Sequence, residues 1–168
     1  MKKIYIDCGV FTGNTIDPYY DDYVVYGFEP NPNKFDKLVK KYEKATLYNK
    51  AVWVNDGKMG FHLTVRNESC SLFERKDEKE IVTVESINFN KWIKETFNED
   101  DYIIIKMDIE GAEYTVLNDM LDNGSMKYVN EIFIEFHNRV FNPKPSRAVN
   151  NLLRKRISEL GIEVKSWK

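Results

Sequence analysis

The sequence has few of the residues from which disulfide frameworks and zinc sites are built. It contains 2 cysteines, Cys8 and Cys70, which stand far apart in the chain. Two isolated thiols form neither a disulfide framework nor the paired spacing of a zinc ligand set. We therefore interpret both as packed thiols and expect the protein to work in a reducing, cytoplasmic compartment.

Long hydrophobic runs and an excess of basic residues are also missing. No apolar run approaches the roughly 20 residues of a transmembrane helix, and acidic and glycine residues follow the charged start too closely for a signal peptide. The formal net charge is -2, which argues against a general binder of nucleic acid or of anionic membranes. We therefore expect neither nucleic acid nor a membrane as a partner.

Internal repeats, low-complexity tracts and interdomain linkers are absent from the sequence as well. The 168 residues fit one domain, which we predict to span 1–168. Hydrophobic residues make up 42% and charged residues 31%, an ordinary globular mixture. A chain of this length can bury roughly 68–70% of its unfolded surface, which is enough for one core.

The sequence does contain short apolar segments that alternate with amphipathic ones. Strands are predicted at residues 3–9, 23–30, 45–53, 58–65, 81–86, 102–108, 131–137 and 162–167. Helices are predicted at residues 31–44 and 87–97, after Asp108, and at 146–161. The charged segment 66–80 is interpreted as a solvated surface loop. This alternation predicts an α/β fold with a mostly parallel sheet and helices on both faces.

The predicted helices carry end signals and apolar faces. Asn31 suits the N-cap and Pro32 the first position of the helix 31–44. The apolar face of this helix consists of Phe35, Leu38, Val39 and Tyr42. The last helix is predicted to stop at Gly161. Its inward residues are predicted to be Val149, Leu152, Leu153, Ile157 and Leu160.

Polar side chains stand where the apolar strands end. They are Asp7, Glu29, Asp108, Glu135 and His137, and all except the histidine are acidic. In parallel α/β sheets, ligands bind beyond the carboxyl ends of the strands, at the point where the strand order reverses. We therefore predict that these side chains meet at one edge of the sheet and form the functional site.

The loop after the first strand, DCGVFTGNT at residues 7–15, differs from a dinucleotide-binding loop. It has the form D-x-G-x-x-x-G, whereas a pyrophosphate site uses closely approaching glycines in the form G-x-G-x-x-G. Phe11 occupies the position of the middle glycine, and Asp7 would repel a pyrophosphate but favour a sulfonium. Glu29 stands close to the ~20-residue offset at which an acid binds ribose hydroxyls. The pattern therefore favours S-adenosylmethionine.

The chain also contains six segments in a characteristic order. They are DCGVFTGNT, GFEPNP, NKAVW, CSL, IKMDIEGAEYTVL and IFIEFH. Together they resemble the FkbM-type S-adenosylmethionine-dependent methyltransferases over almost the whole chain. The resemblance implies a Rossmann-like class I methyltransferase fold and O-methylation of a hydroxyl on a sugar, a glycan or a small metabolite.

The resemblance also implies which residues hold the cofactor. By matching position, Asp7, Gly9, Gly13 and Glu29 hold the cofactor and Asp108 lines the site. Cofactor contacts are also predicted for the residues near them: Phe11, Thr12, Thr15, Pro30, Ala51 and Val52. The chain departs from the family pattern at Phe11, which replaces a common asparagine, and at Cys70, which stands where a serine is usual. The first helix of the fold is expected to be short, because Pro18 interrupts it.

Two pairs of polar residues are predicted to share a strand face near this site. Lys106 and Asp108 are two residues apart, as are Glu135 and His137, so each pair points to one side of its strand. If the two strands are neighbours, Asp108, Glu135 and His137 converge as catalytic residues. The histidine can act as a base near neutral pH, or the three groups can hold a divalent cation such as Mg²⁺ or Mn²⁺. A histidine that only anchors its loop is the alternative.

Other polar and aromatic residues near the strand ends receive more modest interpretations. Glu110 and Glu113 are predicted to stabilise a helix start by about 0.3–1 kcal/mol each through the helix dipole, and Glu113 is expected to pair with Lys106. Aromatic rings in nearby loops can stack on sugars and adenine. These rings belong to Tyr19, Tyr20, Trp53 and Phe141, with the last two predicted as the acceptor wall.

Two other functions stay open at this point. A cofactor-binding module without catalysis is opposed by the retained Asp108, Glu135 and His137. A nicotinamide-dependent oxidoreductase is opposed by Phe11 and by the missing third glycine. The expected partner is a small-molecule or glycan acceptor, and the sequence leaves the oligomeric state undetermined.

Overall fold

The computed structural model describes residues 1–65, 69–141 and 144–167. The strands are β1 Lys3–Cys8, β2 Val24–Phe28, β3 Thr46–Tyr48, β4 Lys50–Trp53, β5 Gly57–Thr64, β6 Glu78–Asn88, β7 Tyr102–Met107, β8 Glu131–Ile134 and β9 Glu163–Ser166. The α-helices are α1 Pro32–Lys41, α2 Phe89–Thr96, α3 Glu113–Asp122 and α4 Arg147–Ser158, and short 3₁₀ turns cover Ser125–Tyr128 and Asn138–Val140.

Six strands form one parallel sheet in the order β3-β2-β1-β7-β8-β9. The chain starts in the middle at β1, builds outward to β3, and later continues on the other side of β1 with β7. The strand order therefore reverses between β1 and β7, as in doubly wound nucleotide-binding sheets. This confirms the predicted α/β, Rossmann-like fold.

The central strands are apolar because both of their faces are covered. Ile4 and Ile6 of β1 belong to a core cluster that includes residues of α2, α3 and α4. Tyr5 points the other way, into a cluster with Leu38 of α1 and Ile16. Helices on both faces, as predicted, explain why the central strands lack the alternation of a half-exposed sheet.

A second, three-stranded sheet has the order β4-β6-β5, with β4 parallel and β5 antiparallel to β6. Its existence makes the prediction of one strand at residues 45–53 wrong, because this segment divides into β3 in the first sheet and β4 in the second. Asn49 stands at the division, and its side-chain amide donates hydrogen bonds to the carbonyl oxygens of Glu29 at 2.8 Å and Pro30 at 3.1 Å. These hydrogen bonds hold Asn49 beside the end of β2, at the point where β3 ends and β4 begins.

Several predicted element boundaries also differ in the structure. Residues 11–23 form successive turns instead of a short first helix. Helix α1 begins as predicted with Asn31 as N-cap and Pro32 in the first turn. Helix α2 starts two residues later than predicted, because Ile87 still belongs to β6 and Asn88 caps the helix by accepting a hydrogen bond from the Lys91 amide at 3.0 Å.

The burial of some apolar side chains was predicted wrongly. Helix α4 buries Leu153 and Ile157, which lie one turn apart, so a narrow stripe of the helix meets the sheet. Val149, Leu152 and Leu160, predicted to face inward, are exposed instead. On the predicted face of α1, Leu38 and Tyr42 are buried, whereas Val39 is exposed. No helix among the described residues is long and apolar enough to cross a membrane.

The predicted surface loop 66–80 is only partly a loop. Residues 66–68 lie outside the described ranges. Ser71 is buried and exchanges two backbone hydrogen bonds with His62 of β5, at 2.7 and 3.1 Å. Residues 78–80 belong to the start of β6. This segment therefore packs against the second sheet.

Candidate active site

The carboxyl ends of the central strands lie side by side. In the parallel registers, Asp7 of β1 stands opposite Gly27 of β2 and Lys106 of β7. Glu29 directly follows β2, and Asp108 directly follows β7. Glu135 follows β8, with His137 two residues further on. All the predicted strand-end residues thus lie at one edge of the parallel sheet, around the reversal between β1 and β7.

A cleft of about 670 Å³ opens beyond this edge. Most residues of the predicted site line it: Gly9, Phe11, Thr12, Thr15, Glu29, Pro30, Ala51, Val52, Asp108, Glu135 and His137. Two predicted cofactor residues, Asp7 and Gly13, lie behind this lining. Asp7 contacts Lys106 and Thr15, and Gly13 packs against Tyr42, so both residues support the lining of the cleft.

Two glycines allow the loop after β1 to approach its neighbours closely. Gly9 has a φ of 92°, and a Cβ atom there would lie 2.0 Å from the backbone oxygen of Asp108. Gly13 has a φ of 87°, and a Cβ atom there would lie 2.3 Å from the ring of Tyr42. Each glycine is therefore required both by its conformation and by close packing.

Glu29 holds the glycine loop in place with its carboxylate. One carboxylate oxygen accepts a hydrogen bond from the Phe11 amide at 2.9 Å, and the other accepts one from the Asn31 amide at 2.8 Å. Burial raises the pKa of Glu29, although these two amides oppose the shift. Each carboxylate oxygen has a second lone pair, so the group can still accept hydrogen bonds from ligand hydroxyls in the cleft.

Lys106 links the two sides of the strand reversal. Its buried ammonium donates to the carbonyl oxygen of Gly9 at 2.7 Å and lies 3.3 Å from a carboxylate oxygen of both Asp7 and Asp108. Asp7 also accepts a short hydrogen bond from the Thr15 hydroxyl. Burial would lower the pKa of Lys106, but the two carboxylates hold it above its ordinary value, so the ammonium stays charged.

Glu113, the first residue of α3, is fully buried and holds His137. Its carboxylate accepts hydrogen bonds from the amides of Ile109 and Gly111, both at 2.9 Å, and lies 2.8 Å from Nδ1 of His137. The predicted pair between Glu113 and Lys106 is therefore wrong, because the turn before α3 directs Glu113 away from the lysine. The sequence predicted a helix-start charge and a partner of Lys106 here, and not the contact with His137.

The other ring nitrogen of His137 faces three carboxylates. Nε2 lies 3.5 Å from Glu110, 3.6 Å from Glu135 and 3.7 Å from Asp108. Burial would lower the pKa of His137, but the Glu113 hydrogen bond and the nearby carboxylates together raise it. The predicted convergence of Asp108, Glu135 and His137 is thus present in the structure.

Glu110 is the acid whose position the sequence did not predict. Its φ of 51° is left-handed, and it precedes Gly111, where a Cβ atom would lie 2.4 Å from Val140. This tight turn directs Glu110 into the cleft, where its carboxylate lies 3.5 Å from Arg75 and 3.1 Å from Arg139. Burial raises the pKa of Glu110 despite the neighbouring cations. The EG dipeptide was the available sequence signal, because glycine permits such turns.

The aromatic residues predicted near the site fall into two groups. Tyr19 lines the cleft, whereas Tyr20, Trp53 and Phe141 are not part of its described lining. The rings of Trp53 and Phe141 instead contact Phe73, with centroid distances of 6.3 and 5.1 Å. Apolar lining residues that were not predicted include Phe61, Leu72, Phe133 and Trp167.

The residues present fit a sulfonium cofactor and also a cation. Glu29 offers buried acceptors at the end of β2, and the acids near the reversal disfavour a pyrophosphate. Asp108, Glu110 and His137 each offer one ligand atom, and these atoms all lie within 4.8 Å of one another. The cleft therefore contains a cofactor-type region beside β1 and β2 and an acidic region beyond β7 and β8.

Comparison with known proteins is consistent with this site. The model of the Methyltransferase FkbM domain matches residues 7–161, which include every strand-end residue described above. No curated protein and no solved structure matches the chain. Because the family model covers most of the sequence, the chain belongs to the FkbM family of S-adenosylmethionine-dependent methyltransferases.

Proposed function

We propose that this methyltransferase is an O-methyltransferase that acts on a hydroxyl of a sugar, a glycan or another small metabolite. The observation that carries the proposal is the meeting of Asp108, Glu135 and His137 beyond the strand reversal. These groups can accept a proton, and a hydroxyl must lose one as it is methylated. They share the cleft with the loop that resembles a cofactor site.

In this proposal the loop 9–15 and the end of β2 hold S-adenosylmethionine. Glu29 accepts hydrogen bonds from the ribose hydroxyls, while the amides of Phe11 and Asn31 keep its carboxylate oriented. Pro30, Ala51 and Val52 supply apolar surface to the same part of the cleft. The bound cofactor supplies a methyl group that the acceptor oxygen takes, while the sulfur keeps the electron pair of the broken bond and the hydroxyl proton is left to the protein.

The acidic region then serves the acceptor. Positioning of the hydroxyl supplies a large part of the rate in such transfers, and Asp108 or His137 takes the proton. A cation held by these side chains would act as a Lewis acid on the hydroxyl oxygen. Glu113 fixes the orientation of the His137 ring through Nδ1, which leaves Nε2 facing the cleft. Carboxylates and basic groups at the mouth, such as Glu135 and Arg139, offer hydrogen bonds to a polyhydroxylated acceptor.

The same features support proposals for the partner and the compartment. A cleft of about 670 Å³ can hold the cofactor together with a small acceptor or a glycan end. Cys8 is a buried thiol, and the chain has 2 cysteines in all. This state supports activity in a reducing compartment such as the cytoplasm.

A turnover screen with labelled S-adenosylmethionine and a panel of glycans and small alcohols tests the proposal. With an acceptor identified, Asp108→Asn is expected to lower the turnover rate by about 10²–10⁴-fold, while affinity for S-adenosylhomocysteine stays nearly unchanged. Asp119→Asn on α3 is the matched control, because this aspartate is also partly exposed and lies outside the cleft lining. It is expected to retain full turnover.

Three results would contradict the proposal at different levels. Near-normal turnover in both Asp108→Asn and His137→Ala would reject the assigned proton acceptors. Tight S-adenosylhomocysteine binding without turnover on any acceptor would favour a module that only binds the cofactor. Calorimetry that shows NAD binding and no S-adenosylhomocysteine binding would reject the cofactor site itself.

A further inference from the structure

Three side chains of the acidic region are arranged as a ligand set. The candidate ligand atoms of Asp108, Glu110 and His137 lie within 4.8 Å of one another. Asp108 and Glu110 lie between the end of β7 and the tight turn at Gly111, and His137 follows β8. The ends of two neighbouring strands therefore hold the three side chains. Carboxylates and one imidazole on fixed elements are a ligand combination used for divalent metal ions.

The orientation of His137 is a second observation that points to a ligand. The side chain is only 5% exposed, and its Nδ1 is held by the buried carboxylate of Glu113 at 2.8 Å. Nε2 makes no hydrogen bond to a described residue, and its nearest carboxylate oxygens lie at 3.5–3.7 Å, beyond hydrogen-bond distance. A carboxylate that holds one ring nitrogen while the other faces a carboxylate cluster is typical of metal-ligating histidines.

The charge balance of the region is a third observation. Five carboxylates crowd around the strand ends: Asp7, Asp108, Glu110, Glu113 and Glu135. Among the described residues, three lysine and arginine side chains lie within ion-pair distance of these carboxylates: Lys106, Arg75 and Arg139. The carboxylates therefore outnumber these cations by two, and by one when His137 also carries a proton, so the region keeps an excess of negative charge that a divalent ion would offset.

We propose that Asp108, Glu110 and His137 bind one divalent cation of the Mg²⁺ or Mn²⁺ class. Three protein ligands leave coordination positions toward the cleft, where water or the oxygens of an acceptor can complete the shell. A role in acceptor binding rests on the proposed function, whereas the binding of the ion does not. Glu113 is a positioning residue in this site, because it contacts the histidine and not the ion.

Manganese alone, added to the metal-free protein, is the sharpest probe, because the chain has only 2 histidines. Electron paramagnetic resonance is expected to show one Mn²⁺ per chain, and pulsed spectra are expected to show coupling to one imidazole nitrogen. His137→Gln should abolish this coupling. His62→Gln is the matched control and should keep it, since His62 lies in β5 beside Glu78. Coupling that survives His137→Gln, or disappears in His62→Gln, would overturn the proposal.

A carboxylate pair keeps the test decisive even where His137→Gln fails to fold. Glu110→Gln is expected to raise the Mn²⁺ dissociation constant by at least about tenfold, as losses around metal ligands do. Glu131→Gln is the control, because its side chain is similarly buried, at 10% exposure against 14% for Glu110, and it lies at the opposite end of β8. Equal Mn²⁺ affinity in both variants would reject the ligand set.

The same samples separate this proposal from the proposed function. Protein that binds S-adenosylhomocysteine but no Mn²⁺ would reject the cation site and leave the cofactor assignment intact; His137 would then be only a charged partner of the surrounding acids. Protein that binds Mn²⁺ through His137 but no S-adenosylhomocysteine would reject the proposed function and support the cation site.

Discussion

The two regions of the cleft hold their carboxylates in different ways. In the proposed cofactor region, formed by residues 7–15 and 29–31, the Glu29 carboxylate accepts hydrogen bonds from two backbone amides. In the acidic region, formed by residues 108–113 and 135–137, Nε2 of His137 meets three carboxylates at distances longer than hydrogen bonds. Backbone amides therefore orient the carboxylate of the first region, whereas no hydrogen bond to a described residue holds Nε2 of the imidazole in the second.

The difference shows how one sheet edge can serve two tasks. Backbone amides and glycines give a region of fixed shape, which suits a cofactor that must be held identically in each turnover. Side-chain carboxylates around an imidazole give a region whose charge can change, which suits proton transfer or a cation. Lys106 joins the two regions, because it contacts Gly9 on one side and Asp108 on the other.

The largest expected effect concerns the close approach of Gly9, in the first region, to the backbone of Asp108, in the second. Gly9→Ala is expected to lower the free energy of unfolding by about 4–5 kcal/mol, because its Cβ would lie 2.0 Å from the Asp108 carbonyl oxygen and its φ is positive. Gly124→Ala is the control: it has a similar φ of 81° but no neighbour within 4 Å, so the expected loss is about 1 kcal/mol. Urea unfolding measures both, and equal losses would show that the close approach is unimportant.

The second effect concerns the buried lysine that joins the regions. Lys106→Met is expected to lower the free energy of unfolding by about 3 kcal/mol, because it leaves the buried carboxylate of Asp7 without its cation. Lys127→Met removes the partner of Glu99 in an ion pair whose two side chains are 55% and 59% exposed, and is expected to change stability little. Equal melting temperatures for both variants would show that the buried Asp7 carboxylate does not need the charge of Lys106.

The sequence predicted the local geometry of residues 7–15 and 29–31 better than that of residues 108–113 and 135–137. The strands, their polar ends and the Asn31 cap were predictable because they depend on local patterns and on the rule that parallel strand ends share an edge. The roles of Glu110 and Glu113 were not, because they depend on the turn at Gly111 and on a histidine 24 residues later in the chain. The division of residues 45–53 was missed for the same reason, since Asn49 makes its contacts with the end of β2.

The third effect tests whether the cofactor region works alone. Glu29→Gln keeps one acceptor oxygen and places an amide group against the Phe11 or Asn31 amide. The affinity for S-adenosylhomocysteine is expected to fall by at least about tenfold, which corresponds to about 1.4 kcal/mol. Glu135→Gln, in the acidic region, is expected to leave this affinity within about threefold. Calorimetry that found the reverse order would exchange the roles of the two regions.

The smallest effect concerns the support beneath the glycine loop. The Tyr42 hydroxyl donates to the Asp17 carboxylate at 2.5 Å and lies 2.7 Å from the carbonyl oxygen of Gly13, while its ring packs under the glycine. Tyr42→Phe keeps the ring and removes the hydroxyl, so the expected cost is about 1 kcal/mol, or a melting temperature lower by about 3 °C.

Cofactor affinity is expected to change little in Tyr42→Phe, because Gly13 lies behind the cleft lining and Glu29 still holds the loop at Phe11. Tyr114→Phe, which removes a 2.7 Å hydrogen bond to Asn150 on the other face of the sheet, is the matched control for stability. Both variants should melt alike and bind S-adenosylhomocysteine alike. A loss of affinity in Tyr42→Phe as large as that in Glu29→Gln would mean that Tyr42, and not the Glu29 carboxylate, sets the shape of the cofactor region.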